Sequence, residues 1–256
     1  MVRGYEGSIR NIRTINLDFI LSGVRRFNNF IKSVLLFHYT RKAKEISSGR
    51  ITVLDVGSGK GGDLGKWQRS LRPSDNYVAF ELVEKQRTEA LERYAGIGGG
   101  FPATFTTIDV FGESFELQNK AMLASAMFML HYASSPTELD TFFSSLSRSV
   151  EQNSYFIVIM VDEEAIVPRL DSPDYTDGNP LFSLEKIESD TSYQAYWFEL
   201  DGGNVDAPEY VIPRKDLLSI AQSNGFVLMK DADLFDTYKR YKRVRGSRKY
   251  NPADRS

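Results

Sequence analysis

One stretch, VLDVGSGKGGDLGKW from Val53 to Trp67, decides most of what this chain can fold into. The apolar, β-branched run Ile51–Val56 ends at a cluster of glycines, and Asp63–Leu71 then has the pattern of a helix. Strand, tight glycine turn and helix in that order bring helix amides and bare backbone to the carboxyl end of a strand, where a small ligand can come close. Such a unit sits in a parallel sheet covered by helices, and the rest of the chain alternates accordingly. From about Asn16 to Glu45 the apolar positions Ile20, Val24, Phe27, Ile31, Val34 and Leu35 recur at helical spacing. Strands are predicted at Tyr77–Leu82, Thr104–Ile108, Ala121–Ser125 and Tyr155–Val161, and helices at Glu84–Tyr94 and Pro136–Val150. A polar loop at Pro168–Pro180 is followed by strands at Tyr193–Leu200 and Glu209–Ile212, a helix at Arg214–Asn224 and a strand at Phe226–Lys230. The expected fold is α/β: a doubly wound, mainly parallel, seven-stranded sheet with about residues 162–212 inserted as a lobe before the last helix and strand. The expected bounds are an arm over 1–19, one domain over 20–237 and a basic tail over 238–256.

Composition removes several classes of function. With no cysteine, disulfides and thiolate zinc sites are excluded, and two histidines, His38 and His131, are too few for a histidine metal site. No segment approaches the roughly 18 uncharged apolar residues that span a bilayer, and the first residues lack the apolar core of a secretory signal. Net charge is −2, but it is segregated. Residues 1–50 carry ten Lys or Arg against three acids, and residues 238–256 carry eight against one. Those ends read either as solvated charge runs or as attractors of a polyanion such as RNA.

The glycine turn admits three ligand readings. A phosphate-binding P-loop needs glycine five residues before the Gly-Lys pair and Ser or Thr after the lysine; Leu54 and Gly61 stand there instead. A dinucleotide site wants G-x-G-x-x-G, a spacing that Gly57, Gly59 and Gly62 satisfy. Asp55, just ahead of the turn, suits a cationic ligand better than a pyrophosphate, and S-adenosylmethionine carries an ammonium and a sulfonium and no phosphate. Glu81 ends the second strand, where an acid meets ribose hydroxyls, and Asp109 ends the third, within reach of an adenine amino group. Taken singly, Glu81 and Asp109 are equally readable as loop residues that start turns.

On these residues the chain resembles the mRNA cap guanine-N7 methyltransferases, a family of class I, Rossmann-like S-adenosylmethionine-dependent enzymes. Four segments carry the likeness in order: RRFNNFIKSVLL (Arg25–Leu36), the glycine segment, FMLHYA (Phe128–Ala133), and YWFEL with APEYVIP (Tyr196–Leu200 and Ala207–Pro213). The resemblance implies that Lys32, Asp55, Gly57, Gly59, Asp63, Glu81, Asp109, Phe111, Met127, Phe128 and Tyr132 contact or frame the methyl donor. It implies that Asn28, Asn29, Lys60, Lys66 and Arg93 meet the cap nucleotide and its phosphate bridge. His131, Tyr132, Tyr196, Phe198 and Glu209 would shape the guanine pocket. Each has a physical reading as well. Lysines beside the turn suit a triphosphate, and Glu209 can accept from guanine N1–H and the exocyclic amine. Tyr196 and Phe198, two apart on a strand, share one face that could equally be core.

Several positions depart from the family pattern. Ser58 replaces a usual cysteine, Glu81 and Met127 stand for Asp and Gln, and Phe111 for Tyr. Asp162 stands where a proline is common, and the aromatic-rich strand that usually ends the family's domain has no counterpart before Ser256. Guanine N7 is already a nucleophile, so the implied reaction needs no general base. His131, Tyr132 and Glu209 would act by positioning, and no metal is implied. The implied partners are the capped 5′ end of RNA and, beyond it, a guanylyltransferase, a triphosphatase or RNA polymerase. The implied location is the nucleus for a cellular protein and the cytoplasm for a cytoplasmic virus. Two other readings stay open: a methyltransferase with another acceptor, and an inactive scaffold that binds RNA.

Overall fold

The computed structural model describes residues 5–172, 182–200 and 207–247. Its elements run α1 (Tyr5–Ile46), β1 (Thr52–Val56), α2 (Leu64–Ser70), β2 (Asn76–Glu81), α3 (Glu84–Gly96), β3 (Ala103–Thr107) and β4 (Ala121–Met127). A single turn of tighter helix at Leu130–Tyr132 precedes α4 (Pro136–Ser149). Then come β5 (Val150–Ile159), α5 (Glu163–Leu170), β6 (Phe182–Ile187), β7 (Gln194–Leu200), β8 (Pro208–Val211), α6 (Arg214–Ser223) and α7 (Leu234–Ser247). Contacts divide the chain into two units: residues up to Leu35 with those from Leu228 on, and Leu36–Val227. α1 runs through both position 20 and the division at Leu35, and α7 takes in the start of the basic tail.

The larger unit is built on a parallel five-stranded sheet in the order β3-β2-β1-β4-β5. The chain winds outward one way from β1 and the other way from β4. Their shared carboxyl edge is the switch point where such folds open a crevice. Every residue of β1 and β4 is buried, as central strands covered on both faces require. α4 supplies a large part of that cover. Ser135 caps it by accepting from the Glu138 N–H, Pro136 opens its first turn, and Leu139, Phe142, Phe143 and Leu146 turn inward.

The second sheet is antiparallel, β6-β7-β8, and packs its inner face on α5 around Ile166, Leu170, Leu184, Tyr196 and Val211. It connects β5 to α6. The single sheet of seven strands expected from sequence is not formed among the described residues. Phe226–Lys230, expected as a strand, joins no ladder: Phe226 packs against Phe143 and Phe156, but Val227 and Met229 are 79% and 78% exposed. An apolar run becomes a strand only where a neighbour supplies hydrogen bonds. The loop expected from Pro168 begins instead as the end of α5, which carries Pro168 inside it and is capped by Asp162 accepting from the Glu164 N–H. The rest of that expected loop falls mostly outside the described residues.

Candidate active site

The glycine turn after β1 is built on backbone that only glycine adopts easily. Gly57, Gly59 and Gly61 have φ of +68°, +54° and +70°, whereas Gly62 has ordinary φ and open space where a Cβ would stand. The third demanding glycine is therefore Gly61, not the Gly62 of the sequence spacing. A Cβ on Gly57 would meet Met129 Cγ at 2.5 Å, and one on Gly61 would meet Leu64 Cδ1 at 2.5 Å and the Ala90 backbone at 3.2 Å.

The turn spends its amides inside the protein. Gly57 and Ser58 N–H both donate to the Phe80 carbonyl (2.9 and 3.0 Å), Gly59 N–H to Glu81 Oε2 (2.7 Å), and Gly61 N–H to the Ser58 carbonyl (3.0 Å). A phosphate cradle needs those donors pointing outward. With these four turned in, the turn keeps few amides for a phosphate, and the side chains at the neighbouring strand ends are carboxylates, which suit a cationic ligand better than a pyrophosphate.

The acids at the strand ends divide into two kinds. Asp55 is a floor beneath the turn. Its Oδ2 accepts from Trp67 Nε1 (3.1 Å) and Tyr77 OH (2.9 Å), and its Oδ1 from Ser125 Oγ (2.7 Å). Burial, with Asp63 adding repulsion, pushes its carboxyl up to about 6 despite three donors. Asp109 is half-exposed, and Glu81, though buried, is held by backbone N–H groups and not by side chains. Glu81 takes one backbone N–H on each oxygen, Gly59 on Oε2 and Val83 on Oε1 (3.0 Å), which fixes its plane and leaves lone pairs on both oxygens. Asp109 closes a turn through Oδ1, accepting from the Phe111 and Gly112 N–H groups (3.0 and 3.1 Å). This geometry suits Glu81 to a pair of ribose hydroxyls and Asp109 Oδ2 to an amino group.

The end of β4 forms the opposite wall. Phe128 is held at φ +62°, a strained conformation for a bulky residue, with its N–H on the Ile159 carbonyl at 2.7 Å. This kink lets Met127 stay buried at the strand end while Met129 closes over Gly57. The next turn carries His131 and Tyr132, whose rings lie 4.7 Å apart.

The small sheet brings the last group. Tyr196 and Glu209 are cross-strand partners of β7 and β8, and Tyr196 OH donates to Glu209 Oε2 at 2.6 Å. Glu209 Oε1 lies 3.6 Å from His131 Nε2. Glu209 is 4% exposed, and burial raises its pKa. Burial also pulls His131 down to about 4, so it is neutral at pH 7, and its Nδ1 finds no partner among the described residues. Burial, helped by the charges of Glu209 and Glu81, pushes the Tyr132 phenol up to about 12. Tyr132 thus stands within electrostatic reach of both carboxylates.

The other sequence-expected residues scatter. Lys66 is buried and donates to Asp63 Oδ1 (2.6 Å) and the Gly62 carbonyl (3.3 Å), so this lysine and Asp63 brace the start of α2. Lys60 pairs with Glu89 at 3.2 Å, and Arg93 is exposed in the last turn of α3. Phe198 shares the face of Tyr196, as alternation requires, but packs on Phe182 in the core of the small sheet. Asn28, Asn29 and Lys32 lie on α1 in the other unit. Sequence reasoning missed Met129 and the three donors to Asp55. Ser125 was findable, because a hydroxyl in the otherwise apolar run ALASAM needs a buried partner.

Known proteins are similar to this chain at two levels. The model of the mRNA (guanine-N(7))-methyltransferase domain matches residues 16–252. The chain is 30% identical over 221 residues to the mRNA cap guanine-N(7) methyltransferase of Schizosaccharomyces pombe, covering 80% of this chain and 60% of that protein. It is 28% identical over 240 residues to the Drosophila melanogaster protein of the same name, covering 84% of this chain and 56% of that one. The chain therefore spans less than two thirds of the length of these relatives. A solved S-adenosylmethionine-dependent methyltransferase from Clostridium acetobutylicum superposes with a TM-score of 0.57 at 14% identity, over 80% of this chain and 82% of that one. At that identity the likeness is one of fold.

Proposed function

We propose that this chain, which belongs to the mRNA (guanine-N(7))-methyltransferase domain family, transfers the methyl group of S-adenosylmethionine to guanine N7 of a capped RNA 5′ end. The observation that carries the reading is the cluster of His131, Tyr132, Tyr196 and Glu209: Glu209 Oε2 accepts from Tyr196 OH at 2.6 Å, its Oε1 lies 3.6 Å from His131 Nε2, and the His131 and Tyr132 rings are 4.7 Å apart. Tyr132 is also within electrostatic reach of Glu81 at the end of β2, so a donor held by Glu81 and a purine held by Glu209 would meet beside it, the condition for in-line transfer.

S-adenosylmethionine, when bound, supplies an electrophilic methyl carbon. The protein's own work is placement. Glu81 grips ribose hydroxyls, Asp109 an adenine amino group, and the glycine turn lies against the ammonium end of the donor. Glu209, aligned by Tyr196, accepts guanine N1–H and its exocyclic amine and so fixes where N7 points. Neutral His131 packs the base without taking a proton, since N7 has none to give. Orientation of this kind is worth on the order of 7–11 kcal/mol of barrier. Positive charge passes from sulfur to the purine as the bond forms, and buried Glu209 favours the cationic product. Lys60 and Arg93, both exposed, complete the proposed cap contacts of this unit. A guanylyltransferase, a triphosphatase or RNA polymerase would be the proposed neighbours in the pathway's chemistry.

The test is methyl transfer from labelled donor to GpppA, GTP and ApppA, with the product's position identified. The expected result is N7-methylated GpppA and no product from ApppA. Equal transfer to ApppA, or methylation elsewhere on the cap, sinks the proposal.

A further inference from the structure

The smaller unit presents a surface that cap chemistry does not use. Along α7, Leu234, Thr237, Tyr238 and Tyr241 turn inward or sit half-buried, while Phe235, Lys239, Arg240 and Lys242 are exposed. Phe235 is 62% exposed, large for an aromatic on a helix that is otherwise polar on that side. It is also braced. Its ring lies 5.4 Å from Phe27 of α1, Phe27 lies 5.4 Å from Tyr238, and Tyr238 meets Phe30 edge-on at 5.2 Å. Lys239 Nζ stands 5.9 Å from the Phe235 ring centre and Lys242 Nζ 5.3 Å from that of Tyr238. Lys239 also meets Asp236 at 3.4 Å, a pair exposed on both sides, and no acid pairs with Arg240 or Lys242 among the described residues.

We propose that this face of α7 is a docking platform for single-stranded RNA, with Phe235 stacking a base and Lys239, Arg240 and Lys242 meeting the phosphates on either side. An exposed aromatic braced by a neighbouring ring and set among cations is how sequence-tolerant single-strand binding is built. The charge argues for a polyanion, and the sequence stays basic beyond, at Arg243, Arg245, Arg248 and Lys249. The biological sense of the platform, holding a transcript downstream of its cap, rests on the function proposed above; the binding itself does not.

The test separates the two. Binding of a labelled, uncapped, unstructured RNA of about 20 nucleotides is followed by anisotropy over a range of salt with the full chain. Lys239→Glu, Arg240→Glu and Lys242→Glu together are expected to weaken binding more than tenfold. They should also lower the slope of log K against log salt by about 2, since each single-strand phosphate contact contributes about 0.7. Phe235→Ala is expected to weaken binding about tenfold with the slope unchanged, the mark of lost stacking rather than lost charge. Methylation of the GpppA dinucleotide should be the same in all variants. Unchanged RNA affinity in the charge variant overturns the platform. So does polyglutamate competing as well as RNA, which would make this face a generic anion or acidic-protein surface. Failure of the unaltered chain to methylate GpppA would sink the cap reading and leave the binding result standing.

Discussion

At the scale of single residues, the same side chain type does opposite work in two places. Asp55 and Glu209 are both buried acids with raised pKa, but Asp55 is closed in by three donors while Glu209 keeps an oxygen facing His131. Sequence leads one to expect Asp55 to contact or frame the donor; in the structure Trp67, Tyr77 and Ser125 donate to its two oxygens. Glu209 must be ionised to accept two guanine donors, so activity should fall as pH drops through its raised pKa. Tyr196→Phe removes the hydrogen bond that holds that pKa down. The acid limb of kcat/KM is then expected to move to higher pH, and the rate at neutral pH to fall about tenfold, the worth of a hydrogen bond to a charged group. An acid limb identical to that of the unaltered chain would show that Glu209 is not the group being titrated. Glu209→Gln should lose cap methylation while keeping S-adenosylhomocysteine affinity, measured by calorimetry, because in the proposed site the donor is held by Glu81 and Asp109.

At the scale of elements, the glycine turn separates motif from mechanics. Gly62 completes the sequence spacing, yet Gly61 bears the conformation. Gly61→Ala is expected to lower Tm by several degrees, through strained φ and contact with the Ala90 backbone. Gly62→Ala should leave Tm within about 2 °C, since nothing lies within 4 Å of its Cβ. Comparable losses from both would mean that the turn is not set by these φ values. Sequence made most strands of the parallel sheet legible because they are apolar runs alternating with helices; β3, ATFTT, is partly exposed and leads straight to β4, and is legible from its β-branched residues. Phe182–Ile187 gave no such signal: FSLEKI alternates weakly and becomes β6 only by pairing with β7. α5 was hidden by Pro168, a breaker in longer helices that costs a helix of eight residues little more than one hydrogen bond. The acids at strand ends were legible from position. What they do was not, since the direction of an amide or a carboxylate oxygen depends on the backbone around it.

At the scale of the whole molecule, two buried groups oppose each other in the pH dependence of stability. His131 titrates at about 4 in the folded protein against 6.5 when exposed. Between those values the unfolded chain holds a proton that the native one does not, so stability rises with pH across that window. Asp55 titrates at about 6 against 3.8. There the native state holds the extra proton, and stability falls with pH over nearly the same range. Each effect is about 3 kcal/mol at about 1.4 kcal/mol per unit, and Glu209, also raised, adds to the side of Asp55. Asp75, with lowered pKa, acts below 3.8 and leaves the window alone. The unaltered protein should therefore show a shallow dependence between about pH 4.5 and about pH 6.5 in urea unfolding. His131→Asn removes the rising contribution and should leave stability that falls as pH increases. Asp55→Asn removes the falling one and should leave stability that rises. Slopes of the same sign in the two variants would mean that the protonation states assigned to this site are wrong. The neutral His131 proposed to pack the guanine would then have to be reassigned.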